Sequence, residues 1–506
     1  MAWWMVLIVV LVLLVLVLGI NDLVQTKHAV RRNYPVVGRL RYLLEKIGPE
    51  LRQYIVTDND EERPFSRDQR RWVYATAKSQ NPYFGFGTDA KFNDPQYPLI
   101  RHAAFPYRGE EPDASAIPCA KVMGEWRQRP KAFRPPSIVG ISAMSFGSLS
   151  GAAIEALNRG AQLAGAMHNT GEGGISAHHR HGGDLILQLG TGYFGARGAD
   201  GHFSLETLVA SIESEPVRAI EIKLSQGAKP GLGGVLPAAK VTPEIAAARG
   251  VPVGITVASP SSHAEFDSVA TMVEFIEGIA EATGLPVGIK SAVGEQQFWI
   301  DLADHMAATQ RGPDFITIDG GEGGTGAAPL VFSDHVSLPF RSGFAEAYSA
   351  FAQRGMASRV VWIGAGKLGF PGEALVAMGL GADMINVGRE AMLAVGCIQA
   401  QKCHTGHCPT GVATQQRRLE RGLDPTDKSV RVAQYLTGLR HDILRLAYAC
   451  GVEHPSLVTG TSIDLLLEGD RSESLWDHYG YDPSWHVSTS ESAVASLRAA
   501  LVASAN

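Results

Sequence analysis

Residues Phe315 to Pro329 read FITIDGGEGGTGAAP, a short apolar run that ends in an acid and then breaks into a glycine-rich loop. Phe315 to Ile318 has the length and β-branched content of a buried strand. Gly320, Gly321, Gly323, Gly324 and Gly326 let the following backbone come close to a planar ligand. The same pattern recurs on both sides. Ile138 to Ala143, Ala164 to His168, Leu185 to Leu189, Ala219 to Leu224 and Val287 to Ser291 precede it, and Val360 to Ile363 and Met384 to Val387 follow. Eight such runs alternating with helical segments predict an α/β fold, a (β/α)8 TIM barrel. Val253 to Val257 is a ninth candidate, which either displaces one strand or forms an excursion. A doubly wound sheet is the competing architecture, but no G-x-G-x-x-G follows an early strand.

Barrels place chemistry at the C-terminal ends of their strands. The loops after the seventh and eighth strands read Gly364-Ala365-Gly366-Lys367 and Gly388-Arg389, where glycine N–H groups and a helix N-terminus suit a phosphate. Lys223 and Lys290 interrupt apolar strands at the expected mouth, and Gln226 and Lys229 follow in a loop there. Cations in that position need an anionic partner.

Farther along, Cys397, Cys403 and Cys408 bring three of the five cysteines together at C-x5-C-x4-C. A three-iron cluster needs three thiolates and fits the count; zinc would need His404 or His407 as a fourth ligand. Three thiols cannot all pair as disulfides, and Cys119 and Cys450 lie far away in sequence. Inert buried thiols are the bland alternative.

The segment Gly396 to Gln415, GCIQAQKCHTGHCPTGVATQ, resembles the iron-sulfur segment in the synthase domain of bacterial glutamate synthases. SAMSFGSLS (Ser142 to Ser150), NTGEGG (Asn169 to Gly174), EIKLSQGAKPG (Glu221 to Gly231) and DGGEGGTGAAP (Asp319 to Pro329) resemble blocks of the same domain, in the family's order. The whole chain is most similar to stand-alone FMN-binding glutamate synthase family proteins. That resemblance implies FMN and a [3Fe-4S] cluster, with Cys397, Cys403 and Cys408 as cluster ligands. It implies an isoalloxazine ring near Ala143, Met144 and Ser145, beside Asn169 and Thr170. Gln226, Gly320, Gly321, Gly324 and Thr325 join the flavin site, and Gly364, Gly366, Lys367, Gly388 and Arg389 its phosphate end. Ser225, Lys229 and Gly323 fall on the substrate side, and Lys223, Glu172, Lys290 and Asp319 are the implied catalytic groups.

The implied reaction is reductive amination, in which 2-oxoglutarate and ammonia give an imine that reduced FMN converts to L-glutamate. Cations would neutralise the two carboxylates, and Glu172, Glu322 or Asp319 would manage protons. Electrons would arrive singly through the cluster from a donor protein, a ferredoxin or a reductase subunit, or from a membrane quinol.

The chain also departs from the family pattern. The amidotransferase domain with its N-terminal cysteine is not in this sequence, so free ammonia or a separate glutaminase is expected. Leu232 replaces the usual acid after KPG, and Val235 to Ala239 differs from the common QLPG pattern. Two other readings therefore stand beside the synthase: the same cofactors acting on another amino or keto acid, and an anchored electron-transfer subunit. The His178, His179 and His181 loop lies outside the pattern and is expected to be solvated rather than metal-binding.

Composition supports a large globular body, with 506 residues, 56 glycines and a net charge of −6 without any basic block, which argues against nucleic acid as a partner. Residues 2–20 carry no charge and would reach roughly 30 Å as a helix, one hydrocarbon core. No basic region precedes them and no A-x-A site follows, so a transmembrane anchor is expected over a cleaved signal peptide. Lys27, Arg31, Arg32, Arg39 and Arg41 follow the span, which predicts a single-pass inner-membrane protein with its catalytic domain in the cytoplasm. The remaining expected divisions are a mixed cap segment over 22–135, the barrel with the iron-sulfur segment over 136–420, and a helical C-terminal extension over 421–506.

Overall fold

The computed structural model describes residues 3–25, 27–80, 83, 85–108, 117–469, 471–485, 495 and 497–499. It divides into two compact units, Met1–Asp68 and Gln69–Asn506.

In the first unit, α1 (Trp3–Val24) is continuously apolar until Asn21 and Asp22, and is long and apolar enough to cross a membrane. Two helices follow it, α2 (Ala29–Asn33) and α3 (Gly38–Leu51).

The second unit is built on a closed barrel of eight parallel strands. These are β1 (Val139–Ile141), β2 (His168–Asn169), β3 (Leu185–Leu189), β4 (Val217–Lys223), β5 (Val287–Ser291), β6 (Phe315–Asp319), β7 (Val361–Ala365) and β8 (Met384–Val387). Neighbours pair in chain order, and β8 closes on β1 through Ile385 opposite Val139 and Val387 opposite Ile141. Each of the eight expected runs contributes one strand.

The ninth candidate is an excursion: Val257–Ala258 pairs antiparallel with Val235–Leu236, outside the barrel. The second strand is shorter than expected, because Ala164 caps the helix α4 (Gly151–Leu163) and Gly165 turns the chain at φ +59°. No α-helix forms between β2 and β3, only the single turn Ala177–His179. On the outside, α4 packs against a long helix α5 (Pro425–Ala449); a Cβ on Gly160 would fall 2.5 Å from Val432 Cβ, so glycine sets that approach.

The segment 117–135 plugs the N-terminal end of the barrel. Its Cys119, Met123 and Phe133 share one buried cluster with Met167, Ile186, Phe315, Val361 and Met384, most of them at the starts of strands. Around that plug Arg129 pairs with Glu277 at 2.8 Å and Asp314 at 3.0 Å, and Lys121 with Asp383 at 2.9 Å. Beyond α5 the chain is not helical throughout. Ile463–Leu466 pairs antiparallel with Pro98–Ile100 on one side and Ser472–Ser474 on the other, before a short helix Leu475–Tyr479 that buries Trp476. The expected helical packing of the final tail lies outside the described residues from 486 onward, apart from 495 and 497–499.

Candidate functional site

Buried polar groups gather inside the barrel from the middle of the strands toward their C-terminal ends. Glu221 of β4 is fully buried and accepts from Asn169 of β2 at 2.8 Å, Gln188 of β3 at 2.6 Å and Thr317 of β6 at 2.7 Å. A buried carboxylate with three such donors is fixed in place. Above it Lys290 Nζ of β5 stands 3.4 Å from Asp319 Oδ2, and that oxygen also accepts from the Gly227 N–H at 3.0 Å. Burial disfavours the Lys290 ammonium, but Asp319, Glu221 and Glu172 outweigh it and raise its affinity for the proton.

One turn farther out, Lys223 Nζ at the end of β4 lies 3.2 Å from Glu172 Oε1 and donates to Gln226 Oε1 at 3.2 Å. Gln226 in turn donates to the Gly324 carbonyl at 2.6 Å, which links the loop after β4 to the one after β6. Glycines beside Glu172 leave its carboxylate where it stands, since Cβ atoms on Gly190 and Gly234 would fall 2.4 Å and 2.6 Å from its two oxygens and push it aside. Burial pushes the Glu172 carboxyl up, yet Lys223, Lys229 and Arg249 together hold it below the ordinary range. Burial, with Lys223 beside it, lowers Lys229. His263 supports this wall by contacting the Lys223 carbonyl at 2.9 Å and the Tyr193 hydroxyl at 2.8 Å.

The loops after β1 and β2 press together. A Cβ on Gly171, at φ +65°, would meet Ser145 N at 2.6 Å, and Ser145 Oγ receives Arg249 Nη2 at 3.3 Å. Ala143 and Met144 lead into this contact, and Thr170, fully buried beside them, accepts from the Gln188 N–H at 3.1 Å. Ser225 accepts from the Ala292 N–H at 2.8 Å, which joins the loops after β4 and β5.

Opposite stands the glycine cradle. Gly320 N–H donates to the Ala365 carbonyl at 2.8 Å and Gly323 N–H to the Gly320 carbonyl at 2.9 Å; Gly321, Thr325 and Gly364 lie in or beside the same turn. Gly366 has φ +119°, and its Cβ would fall 3.0 Å from Gly320 N; Lys367 follows at φ +60°, a conformation a lysine side chain disfavours. Lys367 and Arg389, the latter directly after Gly388, are both buried enough to be disfavoured as cations, and Lys367 is further lowered by Arg389. Two cations at the ends of β7 and β8 beside glycine N–H groups make a donor set that suits a phosphate. The residues present therefore fit the phosphate end of FMN.

The cysteine segment packs on the outer side of the β1 loop. Gln415 donates to the carbonyls of Gly147 at 3.2 Å and Leu149 at 2.8 Å, and Ser150 N–H donates to the Val412 carbonyl at 2.9 Å. Burial pushes the Cys397 thiol up to about 12 and raises Cys403 as well, each further raised by neighbouring thiols of the set. Cys408 behaves in the opposite way. Burial raises it, but the Thr410 hydroxyl and the N–H groups of Ala413, Thr410 and Val412 more than offset that. Among the described residues no three His, Cys, Asp or Glu side chains are already gathered around one ion position. His407 also has its Nδ1 occupied by the Thr405 carbonyl at 2.9 Å.

The histidine loop is not solvated as expected. His179 is fully buried 5.4 Å from the His168 ring, and His178 pairs with Glu244 at 2.8 Å. Sequence reasoning also passed over Glu221, Gln188, Thr317 and Arg249. Glu221 carries the same signal that singled out Lys223, a charge inside an apolar strand two residues earlier; Arg249, at the end of an alanine-rich helix, carries none.

A sequence profile of the conserved region in glutamate synthase matches residues 121–453. The glutamate synthase large subunit-like protein YerD of Bacillus subtilis is 39% identical over 86% of this chain and 89% of its own length. The archaeal-type glutamate synthase (NADPH) of Thermotoga maritima is 36% identical over 62% of this chain, and the match spans 59% of that protein. Among solved structures, a mandelate oxidase mutant with benzaldehyde covers 80% of this chain and 98% of its own, at 15% identity and a TM-score of 0.45.

Proposed function

The chain belongs to the glutamate synthase family, and on that premise we propose that it is an FMN-dependent oxidoreductase that aminates 2-oxoglutarate reductively to L-glutamate. FMN, when bound, supplies hydride to the imine carbon, and a [3Fe-4S] cluster on Cys397, Cys403 and Cys408 supplies electrons one at a time. The observation that carries the reading is the gathering of Lys223, Lys229 and Arg249 around the single carboxylate of Glu172. One anion answers one of the three cations, so the pocket is suited to a ligand with two carboxylates.

Lys229 and Arg249 bind and orient those carboxylates. Glu172, held ionised by its neighbours, accepts a proton from the incoming amine nitrogen, and Lys223 steadies it for that task. Lys290, kept protonated by Asp319 and Glu221, presents a positive charge to developing negative charge inside the barrel. The Gly320 to Gly324 turn, Gly366, Lys367, Gly388 and Arg389 hold the flavin and its phosphate, with Ala143, Met144, Ser145, Asn169 and Thr170 along the ring. Three free thiols in one segment that raise one another, with one of them stabilised as a thiolate, support a cluster held there.

We read α1 as a single-pass inner-membrane anchor with the barrel in the cytoplasm, on the strength of its unburied apolar surface and the arginines and lysine that follow it. A donor protein, a ferredoxin or a reductase subunit, supplies electrons, and free ammonia supplies nitrogen. Leu232, 37% exposed in the excursion that brings Gly234 against Glu172, favours a second reading in which the keto acid is larger or less polar than 2-oxoglutarate.

Photoreduction of the anaerobic protein, followed by mixing with 2-oxoglutarate and ammonium, tests both. Rapid flavin reoxidation with stoichiometric glutamate is expected. Reoxidation only by other keto acids moves the assignment to the second reading, and none with any keto acid leaves electron transfer to a partner as the function.

A further inference from the structure

The helix α3 has a side that nothing in the described residues covers. Leu40, Leu43, Leu44, Ile47 and Leu51 are each 40% to 55% exposed. They recur at i, i+3, i+4, i+7 and i+11, a stripe about 100° wide at 3.6 residues per turn. Arg41 and Lys46 fall on opposite flanks of that stripe, where long stems can lie along apolar surface while their charges reach outward. Between Gln25 and Arg52 there are seven Lys or Arg residues against two Glu.

The start of α3 is fixed to the end of α1. Asp22, fully buried in the last turn of α1, accepts from Arg39 Nε at 2.8 Å, Arg39 Nη2 at 2.7 Å and the Val36 N–H at 3.0 Å. Gly38 allows the tight seat, since a Cβ there would meet the Val30 carbonyl at 2.8 Å. Asp22 comes directly after the uncharged stretch, so this clamp holds the first turn of α3 at the edge of the apolar length of α1. The most apolar window of α1 has none of its residues buried, so α3 leaves that helix rather than folding back along it.

We propose that α3 lies in the membrane–water interface, with its leucine stripe among the acyl chains of an anionic bilayer and its flanking basic groups at the phosphates. This rests on reading α1 as an anchor. The bilayer is the occupant because the stripe begins where the spanning length ends and is bordered by cations on both sides, which matches an apolar layer under an anionic one.

The test places p-benzoylphenylalanine singly at Leu44, at Glu45 or at Leu11 in the full chain, reconstituted into mixed phosphatidylcholine and phosphatidylglycerol vesicles and irradiated. Lipid adducts are expected at Leu11 and Leu44, with about tenfold less at Glu45 on the opposite side of the helix. Adducts to lipid at Leu11 with Leu44 no better than Glu45, or with Leu44 captured by protein, overturn the placement of α3 and leave the anchor intact. No lipid adduct at Leu11 overturns the anchor, and the proposal with it.

Discussion

Lys223 Nζ stands 3.2 Å from Glu172 Oε1 and 3.2 Å from Gln226 Oε1, so one ammonium at the end of β4 joins the acid after β2 to the amide that reaches the β6 loop. Replacing it, as Lys223→Met, leaves Glu172 buried with one cation fewer. Glutamate formation should fall by about 10²–10³ in kcat/KM, the scale seen when one preorganised electrostatic group is lost, while flavin content stays unchanged. Steady-state assays and the flavin absorbance of the purified variant check both halves.

The pH dependence follows from the same carboxyl. Glu172 titrates below the ordinary range despite burial, so it is ionised at neutral pH and loses its charge only as pH falls through that lowered value. The acid limb of the pH–rate profile should therefore lie low in the native protein, move to higher pH in Lys223→Met, and vanish in Glu172→Gln at a much reduced rate. Profiles of kcat/KM for the three proteins decide it.

At the other end of the cradle, Arg389→Met removes one of the two half-buried cations proposed to hold the phosphate. A charge-assisted hydrogen bond contributes about 1.5–3 kcal/mol, so FMN should bind about ten- to a hundredfold more weakly. Titration of deflavinated protein with FMN, followed by fluorescence quenching, measures the change. Unaltered affinity would place the phosphate elsewhere.

Cys408→Ser deletes the one thiol that the backbone N–H groups of Thr410, Val412 and Ala413 stabilise as an anion. Iron and acid-labile sulfide should drop to background with FMN retained, as read by chemical analysis and electron paramagnetic resonance. Retention of full iron content would remove Cys408 from the ligand set.

Arg129 ties Glu277 and Asp314 together under the barrel, so Arg129→Met takes from buried Asp314 its arginine partner and from Glu277 one of two, and should cost about 3–5 kcal/mol in unfolding free energy near neutral pH. Burial raises Glu277, but hydrogen bonds from Arg129, Arg127 and the Gly312 N–H bring it down to about 2 from an ordinary 4.5. Its native contribution is therefore complete above that ordinary value and is lost as pH falls toward the lower one. The difference between native protein and variant should narrow as the medium is acidified, which urea titrations at several pH values would reveal.

The barrel was legible because a parallel strand buried on both faces is a continuous apolar run, and each of the eight stood out as one. Lys223 and Lys290 were legible for the converse reason, as charges whose cost in an apolar strand demands a partner, and the cysteines by their close spacing. Arg249 and the pairing of Pro98–Ile100 with Ile463–Leu466 were not, since both depend on contacts between segments far apart in the chain and leave no local pattern. The histidine loop misled because three polar residues in a row look solvated, whereas His179 is taken inward by its ring contact with His168.

The closure of β8 on β1 sets an order of assembly. Val139 finds its partner only when Ile385 has been synthesised, and the cysteines follow that strand almost at once. Loop closure over such a separation is slow, and the nascent sheet keeps an open edge until it happens. The thiols of Cys397, Cys403 and Cys408 thus leave the ribosome beside a barrel whose other seven strands are already made. On the proposed cluster assignment, loading with iron is a late step in the life of the molecule, and a chain that stalls before it would carry a finished flavin cradle with no route for electrons to enter.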